Sequence, residues 1–237
     1  MKMAGLCWIS VLLAVSLSIG DCATLKLDYV KRIAQLIQKN FQQNGKQFSV
    51  AVNIPEVPKT TKELEEVILP VNREKFNDDL GKGKVYKGNN AVVAIPQRKD
   101  TYTDHAEAQV LDNLGNLANT HKGNILVLYS WLSPCGDKCT NINNQNNILT
   151  KIKEKVKPKW KSFAFVFHTV YTWFMDNNKN KKDIPEADIK MTFRNLRQVI
   201  VDDNIFRCYK PEKKKFQCVK CFQNPLDVDP VAACVKK

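Results

Sequence analysis

Two short segments of the chain, His105-Ala106-Glu107 and Pro134-Cys135-Gly136-Asp137-Lys138-Cys139, fit a single metal site when they are taken together. One imidazole nitrogen and two thiolates can fill three corners of the tetrahedron that Zn²⁺ prefers, which leaves the fourth corner open to a water molecule. The glutamate is not needed as a ligand, so it can carry protons between that water and a substrate. The sequence therefore predicts His105, Cys135 and Cys139 as zinc ligands and Glu107 as the general acid and base.

Each half of this pattern also has a simpler interpretation. A His-x-Glu sequence is common on the solvated face of a helix, and closely spaced cysteines in an exported chain often form a disulfide. The proline before Cys135 and the apolar run 125–131 that leads into it favour the joint interpretation. The combined pattern, H-A-E followed by P-C-x3-C, is typical of zinc-dependent base deaminases.

The sequence around Cys135 carries a resemblance to a known family. Ser130-Trp131-Leu132-Ser133-Pro134-Cys135 is similar to the S-W-S-P-C run of the AID/APOBEC branch of the cytidine deaminase superfamily. The chain most resembles the secreted members of that branch in vertebrates, the secreted novel AID/APOBEC-like deaminases, over roughly residues 30 to 205. Leu132 stands where the family has a tryptophan in the base pocket, and Trp131 is displaced by one position. A shift of one residue along a strand reverses the face to which a side chain points.

The resemblance implies further residues around the base. In the family, the loop after the central strand carries a tyrosine that reads the base 5′ to the target, and Tyr171 matches it by position; a ring packed in the core is the alternative. Asn90 lies where deaminases of this superfamily often keep an asparagine that holds the sugar. Ala106, Trp131 and Ser133 belong to the matching motifs and complete the set of candidate substrate contacts.

The hydrophobic pattern predicts a fold in which helices and strands alternate. Asp104 is expected to cap a helix that carries His105 and Glu107 in its first turn. Alternation after Cys135 implies parallel strands there, so we expect an α/β fold, a three-layer α/β/α sandwich with a mixed five-stranded sheet of the cytidine deaminase type. The predicted helices are 28–41, 60–69, 105–117, one that begins at Cys135, and 186–198; the predicted strands are 48–54, 85–86, 91–95, 125–131, 163–167 and 199–201.

Length and composition agree with one domain. The chain has 237 residues, of which 43% are hydrophobic, as is ordinary for a globular protein. Residues 1–22 are predicted to be a signal peptide, because a positive start at Lys2 precedes the short apolar run 6–17. A signal anchor is the alternative, but the run is short for a membrane helix, and we expect a secreted, extracellular protein with no membrane span. Residues 23–205 are predicted to form the zinc deaminase domain and residues 206–237 a Cys-rich basic tail.

The eight cysteines suit an exported protein, in which disulfides persist. Four of them crowd the tail and are predicted to pair with one another in two disulfides: Cys208, Cys218, Cys221 and Cys234. A structural zinc site is the alternative, because Cys218 and Cys221 have the C-x2-C spacing of metal ligands. Cys22 is either removed by cleavage after it or kept as an unpaired thiol or a link between two chains. The oligomeric state stays open.

The chain is strongly basic, with a formal net charge of +13. Its lysines cluster in runs at 151–161, 179–182 and 213–215, and the second run follows the aromatic segment 171–174. A field of this kind suits a protein that holds a polyphosphate backbone, whereas a protein that handles free nucleosides has no need of it. We therefore expect single-stranded DNA or RNA as the partner, although lysines that alternate along a helix also form ordinary solvated faces.

These observations predict a secreted, zinc-dependent hydrolytic deaminase that converts cytosine to uracil in single-stranded DNA or RNA. A deaminase of free cytidine, deoxycytidine or adenine is the alternative within the enzyme class. The alternative outside it is a catalytically silent, secreted nucleic-acid-binding protein with a structural zinc. Glu107 argues against that alternative, because a structural site has no use for a carboxylate at this position. Neither a P-loop nor a Rossmann glycine pattern occurs, so no nucleotide cofactor is predicted.

Overall fold

A mixed β-sheet lies at the centre of the protein, whose structure is a computed structural model. The structure describes residues 25–42, 45–54, 60–69, 72–100, 102–118, 124–176, 178–200, 204–212 and 214–236. The predicted signal peptide, residues 1–22, lies outside these ranges, and so the fate of Cys22 is a prediction that the structure does not address.

The sheet has seven strands in the described ranges: β1 (Ser49–Ile54), β2 (Tyr86–Lys87), β3 (Ala91–Ala94), β6 (Ile125–Leu132), β7 (Ser162–Thr169), β10 (Ile205–Tyr209) and β11 (Gln217–Lys220). Their spatial order is β11-β10-β7-β6-β1-β3-β2. The neighbours β6, β7 and β10 run parallel, and the remaining pairs are antiparallel. The predicted mixed sheet is confirmed, with seven strands instead of five. Four short strands form two separate hairpins, β4 (Gln97–Arg98) with β5 (Thr103–Asp104), and β8 (Trp173–Met175) with β9 (Lys181–Asp183).

Helices cover both faces of the sheet, which confirms the three layers. On one face, α1 (Leu27–Phe41), α2 (Thr61–Ile68) and α3 (Arg73–Gly81) share a core with Val127 and Tyr129. On the other face, Leu126 and Leu128 share a core with α4 (Ala106–Asp112), α5 (Gly115–Ala118), α6 (Ile148–Lys151), α7 (Glu186–Arg197) and α8 (Ala232–Val235). After α6 the chain continues in π-helical turns over Ile152–Val156. Successive residues of a strand point to opposite faces, so β6 supplies both cores.

The first two helices form where the sequence predicts them. Along α1, Val30, Ile33 and Ile37 are buried on one stripe, the spacing that brings residues three and four apart onto the same side of a helix. At the start of α2, the Thr60 side chain accepts a hydrogen bond from Glu63 N, and the Glu63 carboxylate accepts one from Thr60 N. This is the predicted capping box, and it satisfies two N–H groups that the helix itself cannot.

The predicted tail contributes β10 and β11 to the sheet, so the sheet crosses the predicted domain boundary at residue 205. Cys208 of β10 lies directly opposite Cys218 of β11, and the two form a disulfide. A second disulfide joins Cys221 to Cys234. The prediction that these four cysteines pair among themselves is confirmed, and the alternative of a structural zinc site at these residues is wrong.

The hydrophobic pattern of the sequence does not indicate β10, because a buried arginine lies within this strand. Arg207 is only 5% exposed, and it interrupts the apolar run that marks the other central strands. Its guanidinium donates hydrogen bonds to the carbonyl oxygens of His168 (3.1 Å), Ala233 (2.6 Å) and Lys236 (2.5 Å). These bonds tie β10 to the end of β7 and satisfy carbonyl groups at the end of α8.

The helix predicted to begin at Cys135 begins instead at Ile148. The intervening segment is rich in asparagine, whose side chain competes for backbone hydrogen bonds and so favours turns. Asn141 Oδ1, for example, accepts a hydrogen bond from Asn143 N. Cys135 and Cys139 therefore lie in a loop, and the predicted start of this helix is wrong.

The strand predicted over 199–201 is also absent from the described part of this segment. Val199 N and Ile200 N both donate to Leu196 O, so these residues form a turn that closes α7. Val201 lies outside the described residues, and the next strand begins at Ile205.

His168, at the end of β7, lies flat on the indole ring of Trp131. The two ring centroids are 4.0 Å apart and the ring planes differ by 8°. Burial, and then the charge of Arg207, lower the pKa of His168 to about 4. In the unfolded chain a histidine has a pKa of about 6.5, so between these two values the unfolded chain binds more protons than the folded one. The contribution of His168 to stability is therefore present above pH 6.5 and is lost as the pH falls toward 4.

Replacing His168 should make the free energy of unfolding depend less on pH in the acid range. His168→Gln removes the titrating group, so its free energy of unfolding should decline less than that of the wild type as the pH falls from about 6.5 to about 4. Urea denaturation at several pH values measures this difference. Parallel declines in the two proteins would contradict the buried, neutral state of His168.

Candidate active site

The start of α4 carries two of the predicted site residues. β5 ends at Asp104 and α4 begins at Ala106, so His105 takes the N-cap position with an extended backbone, φ −76° and ψ 144°. Asp104 therefore precedes the cap instead of forming it. In the described part of the chain the His105 side chain makes no capping hydrogen bond, which leaves its imidazole free to turn toward the loop after β6.

The two predicted cysteine ligands lie in a tight loop that follows β6. Residues 136–139 form a turn in place of the predicted helix. Thr140 N donates to Cys135 O (3.2 Å), and Cys139 N donates to Cys135 Sγ (3.4 Å). This backbone N–H favours the charged form of the Cys135 sulfur, because it places a donor beside it.

The three predicted ligands converge on one point. His105 Nδ1 lies 3.1 Å from Cys139 Sγ and 3.6 Å from Cys135 Sγ, and the two sulfurs are 3.6 Å apart. Tetrahedral bonds of about 2.3 Å to sulfur and about 2.0 Å to nitrogen separate such ligand atoms by roughly 3.5 to 3.8 Å. Both cysteines are free thiols. The two separations that involve Cys135 lie in this range, and the one between His105 and Cys139 is shorter. The donor types fit a zinc ion, and together these residues could hold a metal.

The electrostatics of the loop favour a charged sulfur. The hydrogen bond with Cys139, and then the neighbouring His105, lower the pKa of the Cys135 thiol to about 4 despite its burial. The same hydrogen bond and complete burial raise the pKa of Cys139 well above its usual value. Burial alone lowers the pKa of His105, but the hydrogen bond and the charge of Cys135 outweigh it and the net shift is upward. A thiolate is thus ready to ligate, and a metal cation displaces the remaining thiol proton when it binds.

Glu107 lies beside this ligand set and is only 3% exposed. Its Oε1 accepts hydrogen bonds from Ser130 Oγ (2.6 Å) and Gln47 Nε2 (3.0 Å). Burial raises the pKa of the carboxyl group, and the charge of His105 and the hydrogen bond from Ser130 oppose part of that rise. A carboxyl group with a raised pKa holds a proton more readily than an exposed one, which suits a general acid and base.

A cavity of about 190 Å³ opens in front of Glu107 and the ligands. Three of the predicted substrate residues, Ala106, Ser133 and Tyr171, line it. Ser133 Oγ also accepts a hydrogen bond from Tyr171 N (2.9 Å), which holds the loop that carries the tyrosine. The cavity is smaller than the roughly 300 to 1,000 Å³ of sites for drug-sized ligands, so it suits one small ring. Its other lining residues are Gln47, Pro96, Thr103, His105, Glu107, Leu132 and Cys135.

Trp131, a fourth predicted substrate residue, lies on the opposite face of the sheet. Its ring stacks on His168 and packs beside Phe48, whereas Leu132 lines the cavity. This arrangement follows from the one-residue displacement of the tryptophan in the motif, because neighbouring residues of a strand point to opposite faces.

Asn90, the fifth predicted substrate residue, lies in the turn between β2 and β3. Its side-chain amide donates to Val67 O (3.2 Å), and its own carbonyl accepts from Asn53 N (2.9 Å). In this structure Asn90 therefore connects the hairpin to β1 and to α2.

Two wider grooves adjoin the cavity at Thr103 and His105, which line all three spaces. A groove of about 500 Å³ runs past Tyr171 to the β8–β9 hairpin, where Met175 is 58% exposed. A second groove, of about 450 Å³, runs along the Asn-rich loop, the segment between Cys139 and Ile148. Lys138 lines both grooves, so a cation stands where they meet the cavity.

The lysine run 179–182 belongs to the hairpin beside the larger groove. Lys181 Nζ lies 5.6 Å from the centroid of the Trp173 ring and 3.5 Å from Asp183 Oδ1. Lys182 Nζ lies 3.9 Å from Asp176 Oδ2. The positive charge of this hairpin is therefore partly offset by its own carboxylates.

The lysine run 151–161 extends away from the cavity. Lys151 Nζ lies 2.8 Å from Asp112 Oδ1, and Lys155 pairs with the same carboxylate. Lys161 N donates to Asn124 O (3.1 Å) at the beginning of β6, whereas the site residues follow the end of that strand. Eight residues of strand span about 23 Å, so the last lysines of the run lie at the far edge of the sheet.

The predicted site does not include Gln47 and Ser130, two side chains that contact the Glu107 carboxylate in the described part of the chain. Gln47 lies two residues before β1, in a segment without a motif, and Ser130 lies within an apolar strand. The antiparallel register Ser49↔Ser130 brings them together. Two signals point to Ser130: it is a polar residue inside a predicted strand, where a buried hydroxyl needs a partner, and it begins the run that resembles S-W-S-P-C.

Comparison with family models agrees with this geometry. The model of Secreted Novel AID/APOBEC-like Deaminase 1 matches residues 28–235. The chain belongs to this family. The matched range includes the three predicted metal ligands, Glu107 and both tail disulfides, and it extends beyond the predicted resemblance at 30–205. Comparison with curated proteins and with solved structures found no match.

Family membership confirms the predicted resemblance and gives a coarse function. The family is described as secreted and as deaminase-like, and two disulfides in the chain fit an extracellular protein. None of the helices in the described ranges combines the length and the apolar character that crossing a bilayer requires.

Removing a predicted ligand should remove the metal. An incomplete ligand set does not hold zinc, so His105→Ala and Cys135→Ser should lower the bound zinc from about one ion per chain to a small fraction, together with the melting temperature. Atomic absorption and thermal unfolding measure the two effects. The matched control is Glu107→Gln, which alters a neighbouring buried side chain and should keep the metal. Full zinc occupancy in both ligand variants would contradict the assignment.

Proposed function

We propose that the protein is a secreted, zinc-dependent hydrolytic deaminase that converts cytosine to uracil in single-stranded DNA or RNA. The observation that supports this most is the convergence of His105, Cys135, Cys139 and Glu107 at a cavity the size of one small ring. A nitrogen and two sulfurs would leave one coordination position of a bound zinc ion open, as catalytic zinc sites require, and Glu107 lines the same cavity as His105 and Cys135.

The zinc ion supplies a Lewis acid that lowers the pKa of a water molecule. The chain's own part is to move protons and to hold the base. Glu107 takes one proton from water as the water oxygen bonds to C4 and gives that proton to N3 of the cytosine. It then moves the remaining proton of the C4 hydroxyl to the amine, the C4–N bond breaks, and water and cytosine have become uracil and ammonia. Leu132 and Tyr171 wall the cavity and exclude bulk water, and Ser133 keeps the Tyr171 loop in place.

A polynucleotide is the substrate that best matches the surroundings of the cavity. One base fills the cavity, and the sugar and the phosphates then lie in the grooves that meet at Lys138. The formal charge of +13 adds a long-range attraction for phosphate. The groove also contains carboxylates, from Asp137 and Asp183, which favour free cytidine as the second candidate substrate.

Replacing the proposed acid and base should abolish turnover without loss of the metal. Glu107→Gln keeps the size of the side chain and its place between Gln47 and Ser130, but it cannot accept the proton. We expect deamination to fall by roughly two to four orders of magnitude while the zinc content stays near that of the wild type. Deamination is measured as ammonia release from cytidine, deoxycytidine, adenine nucleosides, single-stranded DNA and RNA, and as uracil formation where the substrate contains cytosine.

The catalytically silent alternative makes a different prediction. If wild type and Glu107→Gln are equally inactive on every substrate and bind nucleic acid with the same affinity, the deaminase proposal fails and a binding protein with a structural zinc remains.

Salt dependence should separate a polynucleotide from a nucleoside substrate. Binding of lysines to phosphates releases counterions, so the affinity for an oligonucleotide should fall steeply with salt, whereas turnover of cytidine should not. Replacing Lys179, Lys181 and Lys182 with glutamine should make the plot of log Kd against log salt less steep, by about 0.7 for each phosphate that the variant no longer neutralises.

The matched control for this experiment is the triple glutamine variant of Lys157, Lys159 and Lys161. It removes the same charge from the far edge of the sheet, so the slope should stay near that of the wild type. Equal effects of the two triple variants would contradict a binding path along the β8–β9 hairpin. Efficient, salt-insensitive turnover of cytidine alone would favour the nucleoside deaminase.

A further inference from the structure

The carboxylate of Glu107 is held from behind by a polar cluster that the zinc motifs do not contain. The cluster consists of Gln47, Ser49 and Ser130, which come from the segment before β1, from β1 itself and from β6. We propose that Gln47 and Ser130 are positioning residues that occupy one oxygen of Glu107, Oε1, so that the other oxygen, Oε2, carries the catalytic proton. This inference rests on the proposed deaminase function.

The orientation of the Gln47 amide follows from its partners. Leu132 N is a backbone donor, and it lies 2.8 Å from Gln47 Oε1. A donor must face the amide oxygen, so the amide nitrogen, Nε2, is turned toward Glu107 and Ser130. It lies 3.0 Å from Glu107 Oε1 and 2.9 Å from Ser130 Oγ. One side chain thereby joins the catalytic carboxylate to the backbone of a residue that lines the cavity.

The direction of the serine hydroxyl follows in the same way. Ser130 Oγ faces two donors, Gln47 Nε2 at 2.9 Å and Ser49 Oγ at 3.0 Å. Its single hydrogen therefore remains for Glu107 Oε1, at 2.6 Å. The short distance is typical of a hydroxyl that donates to a carboxylate.

These bonds make the two oxygens of Glu107 inequivalent. A carboxylate oxygen has two lone pairs in the plane of the group, and on Oε1 they face Ser130 and Gln47. A proton on Oε1 would have to displace one of these donors inside a buried cluster, which carries a free-energy cost. A proton taken from water is therefore carried on Oε2, and the cluster also restricts rotation of the carboxylate.

The test compares Gln47→Met with a control variant at a glutamine whose side chain hydrogen-bonds to the other face of β6. Methionine has a similar length but no amide, so the variant removes the donor to Glu107 and the acceptor for Leu132 N. The control is Gln38→Met, which removes an amide of α1 that donates to Tyr129 Oη (2.9 Å). Both variants remove one side-chain amide that bonds to a β6 residue, but only one of the amides contacts Glu107.

We expect Gln47→Met to lower kcat by ten- to a hundredfold, the usual effect of losing an outer partner of a catalytic group, with KM within about threefold of the wild type. Ser130→Ala should likewise lower kcat and leave KM nearly unchanged. Gln38→Met should leave kcat unchanged, even if it lowers the melting temperature as much as Gln47→Met does. In the Glu107→Gln background, Gln47→Met should cause little further loss, because residues that act as a unit are not additive.

A readout without turnover tests the contact itself. The side-chain amide protons of Gln47, followed by nuclear magnetic resonance, should exchange slowly with solvent and should shift when Glu107 is replaced by glutamine. They should not shift in Gln38→Met.

Different results would overturn different claims. A kcat for Gln47→Met equal to that for Gln38→Met, in a wild type that deaminates, would overturn the positioning role and leave the deaminase proposal intact. A wild type that is inactive on every substrate would overturn the proposed function and, with it, the catalytic role of Gln47. An amide resonance of Gln47 that is insensitive to Glu107→Gln would overturn the contact.

Discussion

The placement of β6 between β1 and β7 is the constraint on which the site depends. The antiparallel register Ser49↔Ser130 and the parallel register Ser130↔Phe167 hold this strand on both sides. Ser130 then lies beneath Glu107, Leu132 lines the cavity, and Cys135 follows just beyond the end of the strand. A slip of one residue in either pairing would exchange the two faces of β6 and disperse the site.

Stability and chemistry use different parts of the sheet. The buried carboxylate and the free sulfurs lie on the α4 side of β6, where burial of polar groups opposes folding unless hydrogen bonds compensate for it. The disulfides lie at the β11 edge of the sheet: Cys208–Cys218 joins β10 to β11, and Cys221–Cys234 joins the residue after β11 to α8. Crosslinks there restrict the unfolded chain and leave Cys135 and Cys139 available as ligands.

Lysines that are close together in the sequence do not form one positive surface in the structure. The lysines of run 151–161 look like one patch in the sequence, but they follow a helical segment that runs back from the site, and two of them pair with Asp112. The cations beside the cavity come from other segments, at Lys138 and in the β8–β9 hairpin. Folding therefore separates lysines that are neighbours in sequence and collects others that are not.

The sequence by itself determined the donor types that could hold a metal, the glutamate two residues after the histidine, the layered α/β class and the set of paired cysteines, because each depends on local spacing or composition. Only the tertiary structure decided that Gln47 and Ser130 hold Glu107, that Arg207 lies within a central strand, and that the Asn-rich loop replaces the start of a helix. The physical reason is the range of the interactions. Periodicity and motif spacing report contacts a few residues apart, whereas strand register joins residues as distant as Ser49 and Ser130. Gln47 meets Glu107 of α4 only after the sheet has formed.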